Sequence, residues 1–257
     1  MSVELRNGLW STVFEYMISG LNNFAHYGGA LTIRAEFFKM LWVDFFKKPV
    51  DDLVIFTDGT VSEDSPLRFL RNWFFAAKWD EVYEFVEFCA GFRDDFIQPA
   101  NRILKREMSA YRFIGNLLVP VNSEEEVIEV ETANQNLDPT SPARKHLRQA
   151  MVLFSDRANP DYPNSIKESV SAVESVVRSL LGDEKATLGA GLRKLEKEQG
   201  LPPTLKKAFS TLYGYTSDSG GIRHAITEGD VPPSRPEARF MLVTCSAFVN
   251  YLITKLN

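Results

Sequence analysis

Cysteine and histidine are scarce in this sequence, with two of the first and three of the second in 257 residues. Cys89 and Cys245 lie far apart inside apolar helical patterns and form no C-x-x-C pair, so the disulfide framework of small secreted domains is excluded. His26, His146 and His224 are scattered, and none stands in an H-E-x-x-H or Cys/His ligand spacing. No metal and no cofactor is therefore expected. The chain also lacks a G-x-x-x-x-G-K-[ST] phosphate loop and a G-x-S-x-G elbow. Gly189-x-Gly191 falls inside a helical pattern with no strand before it, which argues against nucleotide cradling by a glycine loop. Long apolar runs are missing as well. The nearest approach is the uncharged stretch Phe240 to Ile253, interrupted by Asn250, whereas spanning a bilayer takes about 18 or more apolar residues. The start, MSVELRNGLW, has no basic region followed by an apolar run. A cytoplasmic protein without membrane attachment is the expectation.

What is present supports a real core: 44% of the residues are hydrophobic, and the length suits one large or two modest domains. Charge is unevenly placed. Residues 1–137 hold 13 Lys and Arg against 21 Asp and Glu, a net of −8, whereas residues 138–257 hold 16 against 13, a net of +3. A mildly basic second half is compatible with a polyanionic partner, but it lacks the concentrated charge of a dedicated nucleic-acid binder.

The clearest seam is NQNLDPTSP, Asn134 to Pro142, where turn formers and two prolines follow an acidic segment. Ahead of it, Leu9, Val13, Tyr16 and Met17 recur at helical spacing, as do Ile33, Phe37, Leu41 and Phe45. Ser65-Pro66 opens a helix carrying Leu67, Leu70 and Phe74, and Trp79 to Phe88 continues as another. Trp42, Trp73 and Trp79 read as core. Alternation around Gly115-Asn116, from Tyr111 and Phe113 to Leu117 and Val119, predicts a short β-hairpin, followed by an acidic helix capped at Asn122-Ser123.

Behind the seam, Ser141-Pro142 starts a helix with Leu147, Ala150, Met151 and Phe154 on one stripe. Ser165 with Glu168 makes a capping box ahead of Ile166, Val170, Val173 and Val177. Thr187 opens a shorter helix through Leu188, Leu192 and Leu195, closed by Gly200. A fourth carries Leu205, Ala208, Phe209 and Leu212 and is ended by Gly214. Ser234 and Glu237 cap a long final helix to Leu256. The fold class is thus mostly α: an N-terminal helical domain with a short β-hairpin over residues 1–136, then a five-helix bundle over residues 137–257.

Between the last two of these helices lies LYGYTSDSGGIRHAITEGD, Leu212 to Asp230, dense in small hydroxyls and glycines and holding the adjacent pair Arg223-His224. Arginine is a permanent cation suited to phosphate oxygens, and the pKa of histidine lies nearest neutral pH. Together they suit phosphodiester cleavage. His224 would move a proton at the 2'-hydroxyl or the leaving oxygen while Arg223 steadies the charge on the phosphorane. The alternative is structural: Arg223 salt-bridged to Asp218 or Glu228, and His224 capping a helix end or filling a polar pocket. Asn164, Lys167 and Glu168 at the start of the second bundle helix either receive a phosphate or cap that helix. Tyr213 and Tyr215 either stack on bases or anchor the loop on its own core.

The run NSIKESVSAVESVVRSL, Asn164 to Leu180, with TLGAGLRKLEK, LYGYTSDSGGIRHA and CSAFVNYLI, resembles the C-terminal HEPN-like domain of bacterial abortive-infection proteins. The acidic front with SAYRFIGNLLVPVNSEEEVIEVE resembles the AbiJ-type N-terminal domain that often precedes it. The resemblance implies a HEPN bundle, frequently dimeric, that in many family members is a metal-independent ribonuclease directed against phage. The family's catalytic pattern sets an arginine and a polar residue before the histidine with four to six residues between. Matched on His224, the arginine position falls at Ser217, Asp218 or Ser219, and Arg223 is adjacent instead. Neighbouring helical positions point about 100° apart, so Arg223 and His224 share one phosphate only in a loop or across a partner subunit, and Gly220-Gly221 permits a loop.

Two functions follow as expectations. One is a phage-defence effector cutting RNA through Arg223 and His224, with Asn164, Lys167, Tyr213, Tyr215 and Asp218 contacting the RNA and a homodimer formed through the C-terminal bundle. The other is a non-catalytic RNA- or nucleotide-binding or dimerisation module in which the Arg-His pair is structural.

Overall fold

A computed structural model describes residues 1–21, 32–56, 60, 62, 64–121, 123–218 and 232–256. These are mostly α-helical, with one two-stranded hairpin, and the chain divides into two compact units, Met1–Leu118 and Val119–Asn257.

The first unit contains α1 (Val3–Val13), α2 (Ile33–Met40), α3 (Asp64–Ala76), α4 (Trp79–Phe92), α5 (Ile97–Arg106) and β1 (Tyr111–Ile114). Both α1 and α2 run on into π-helical turns, Phe14–Ser19 and Leu41–Phe45. In the second of these the Phe46 amide donates to the Leu41 carbonyl, an i to i+5 bond that puts an extra residue into the turn. Phe37 ahead of this turn and Leu41 and Trp42 within it are all buried.

Aromatic rings dominate this core, with Phe37, Phe38, Phe74, Phe85, Phe96 and Phe113 fully enclosed. Phe45 meets Phe46, Trp73 and Phe85 edge to face at 5.0, 5.4 and 5.6 Å, within the range where ring quadrupoles attract. Trp42 and Trp73 belong to this cluster. Trp79 does not, and stands 45% exposed beside Tyr83 and Tyr111.

The hairpin forms as its sequence predicts. Gly115, at φ 57°, supplies the left-handed conformation the turn needs, and β1 pairs with β2 (Leu117–Pro120). Asn101 on α5 exchanges two hydrogen bonds with the backbone of Phe113, at 2.8 and 3.0 Å, so a side chain occupies what would be a free strand edge. The division between the two units falls within β2.

The second unit holds α6 (Glu124–Asn136), α7 (Pro142–Ser155), α8 (Tyr162–Leu181), α9 (Leu188–Gln199), α10 (Pro203–Asp218) and α11 (Arg235–Leu256). Ser141 and Thr187 cap α7 and α9 by accepting from Arg144 N and Ala190 N, and Gly200 closes α9 at φ 73°. The stripes read from the sequence on α7, α8 and α9 are all buried, from Leu147 to Phe154, Ile166 to Val177 and Leu188 to Leu195. Both α7 and α11 pack along α8. At Gly191 a β-carbon would stand 2.4 Å from Val177 Cγ1, so the missing side chain is what lets α9 approach α8.

Two local readings change. Helix α8 begins at Tyr162 with Asp161 as its cap, so Ser165 sits inside the helix and its hydroxyl donates to the Ala150 carbonyl at 2.8 Å. Helix α10 passes through Gly214 and reaches Asp218, since a glycine weakens a helix without having to end it. The acidic helix α6, placed ahead of the seam by its sequence, packs on α11. Val127, Val130 and Ala133 are buried there, the Asn250 amide donates to the Glu129 carbonyl and carboxylate at 2.9 and 3.0 Å, and Arg239 lies 3.7 Å from Glu126.

Candidate functional site

Arg223 and His224, the proposed catalytic pair, lie outside the described residues, as does His26. Of the two helices that bracket their segment, α10 ends at Asp218 and α11 begins at Arg235.

The start of α8 brings Asn164 and Lys167 into one turn. The Asp161 carboxylate accepts from the Asn164 amide N–H at 3.0 Å and from its side-chain Nδ2 at 2.7 Å. A carboxylate thus already fills the place a phosphate would take at this positive helix end. Lys167 is exposed and points its charge to solvent. One turn further on, Glu168 meets His146 of α7 at 2.6 Å, a contact the sequence reading did not foresee. The imidazole Nδ1 is held by the carboxylate, and the pair is half exposed, with side-chain exposures of 37% and 21%.

Tyr213 and Tyr215 do not form one stacking platform. Two residues apart on a helix, they project about 200° from each other. Tyr213 faces the bundle interior beside Val170, Phe209, Met241 and Cys245, whereas Tyr215 lines the opposite, outer side of α10. There a groove of about 820 Å³ runs between α10 and the start of α11. Ala208, Leu212, Tyr215, Pro236 and Phe240 give it an apolar surface, with Lys207 and Glu237 at the margin. Phe240 is 56% exposed and Ala208 is exposed too, although both belong to apolar patterns. Along α10 only Thr216 is fully buried among the residues with described side chains. On its inner face Phe209 stacks on Phe248 of α11. The helix therefore carries two apolar faces and buries one of them partly.

The sequence held a signal for this groove: Thr204, Lys207, Ala208, Thr211, Leu212 and Tyr215 follow helical spacing on a second stripe. Ala208 and Leu212 also belong to the stripe of Leu205 and Phe209, and a loop beginning at Leu212 leaves Tyr215 off the helix.

Both thiols are inert by position. Burial pushes Cys245 up to about 12 and Cys89 well above the ordinary thiol value. Among the described residues no group of three or more His, Cys, Asp or Glu is placed to hold a metal ion, and no helix is long and apolar enough to cross a membrane.

Against known proteins, the model of one family, described as AbiJ N-terminal domain 4, matches residues 1–136. No curated protein and no solved structure matches the chain.

Proposed function

Because the chain belongs to the AbiJ N-terminal domain 4 family over residues 1–136, we propose that it is an abortive-infection effector whose C-terminal bundle, residues 137–257, is a HEPN-like domain acting on RNA. The family membership is the observation that carries this reading, since it points to an abortive-infection context. The helical bundle of the second unit and the resemblance of its sequence blocks support the finer part. In this reading Arg223 neutralises a phosphate and His224 transfers the proton, so RNA is cleaved with its own 2'-hydroxyl as nucleophile and without a metal ion. Lys167 and Tyr215, both at the surface or lining the outer groove, are the described residues best disposed to meet a strand; Asn164 is engaged by Asp161, and Tyr213 faces inward.

The experiment is cleavage of total RNA by the purified protein in EDTA, wild type beside His224→Ala, with thermal unfolding measured on the same preparations. A general acid or base predicts a loss of roughly 10² or more in rate at an unchanged melting temperature. Equal cleavage by both proteins, or none by either, overturns the enzymatic reading.

The groove between α10 and α11 favours a second reading, a binding or dimerisation module. An apolar trough of about 820 Å³ suits apolar side chains of a partner better than phosphates, and a second copy of the bundle is the partner this reading assigns. Phe240→Glu separates the two: a protein that stays active but becomes monomeric in sedimentation keeps the enzyme and assigns the groove to assembly, while a wild type that is monomeric at micromolar concentration removes the dimer.

A further inference from the structure

We draw no further inference here: the strongest candidate, the apolar groove between α10 and α11 lined by Leu212, Tyr215 and Phe240, belongs to the site already described, and nothing in the structure shows what covers it.

Discussion

At the scale of single residues, solvent access decides which groups react. Cys89 and Cys245 are both buried, with thiols pushed above their ordinary range. The folded protein should leave a thiol reagent unconsumed at pH 8 and consume two equivalents once denatured. A rapid native reaction of either thiol would contradict the burial. Arg93 illustrates the opposite case, a surface charge with a structural task. Its guanidinium donates to the carbonyls of Tyr16 and Gly20 at 3.1 and 3.3 Å, closing the open end of the π-helical turn after α1, and is itself held by Asp95. Arg93→Ala should cost about 1 kcal/mol in urea denaturation, because the half-buried Tyr16 carbonyl loses a charged donor while the Gly20 carbonyl is exposed. Asp95→Asn should cost less, about 0 to 1 kcal/mol, since that pair is largely exposed. The Arg93 hydrogen bond holds the Asp95 carboxyl below its usual range. Its contribution is therefore complete above the unfolded carboxyl value of about 3.9 and is lost as pH falls through the folded value. The difference between wild type and Asp95→Asn should accordingly vanish in strong acid. A gap that widens on acidification would reverse the assigned sign.

At the scale of elements, two glycines test how α9 and α10 are seated. At Gly191 any β-carbon collides with Val177 Cγ1, and Val177 is itself fully buried about one turn before the end of α8. Gly191→Ala should lower stability by about 1 to 3 kcal/mol through overpacking. At Gly214 a β-carbon meets nothing within 4 Å. Gly214→Ala should raise stability by about 0.5 to 1 kcal/mol, the difference in helix propensity. If both changes destabilise, α10 is not a regular helix through Gly214. The elements also show what a local reading captures and what it misses. Ser141, Thr187 and Ser123 are visible as caps because a cap and the amide it accepts from are three residues apart in the chain. Ser165 carries the same local signature and is not a cap, because Asp161 starts the helix a turn earlier and the Ser165 hydroxyl finds the Ala150 carbonyl across the α7–α8 contact.

At the scale of the whole molecule, α6 is where the family match and the compact units part. The match runs to residue 136, yet α6 packs on α11 inside the unit Val119–Asn257. Removing α6 would uncover the surface of α11 on which it packs with Val130 and Ala133 buried, and would strip the half-buried amide of Asn250 of both its acceptors on Glu129. A fragment of residues 119–257 should therefore melt cooperatively and at a higher temperature than one of residues 137–257, by several kcal/mol of stability, given about 1.5 to 3 kcal/mol for each large apolar side chain buried. Far-UV circular dichroism on the two fragments reads this directly. Equal melting temperatures would make α6 dispensable to the bundle and leave the boundary at the Asn134 to Pro142 seam.

The sequence by itself determined the helical class, the hairpin around Gly115-Asn116, most caps, and the buried stripes of α7, α8 and α9. It also carried the likeness to abortive-infection proteins, whose N-terminal family the comparison then supplied. These features are written in interactions between residues a few positions apart, so spacing alone exposes them. Tertiary structure alone decided that α6 lies against α11, that Tyr213 turns inward while Tyr215 turns out, and that Glu168 serves His146. An amphipathic helix such as α10 offers more than one stripe of similar apolarity. Which one is buried depends on the faces its neighbours present, a choice made by long-range packing that the local order of residues does not encode.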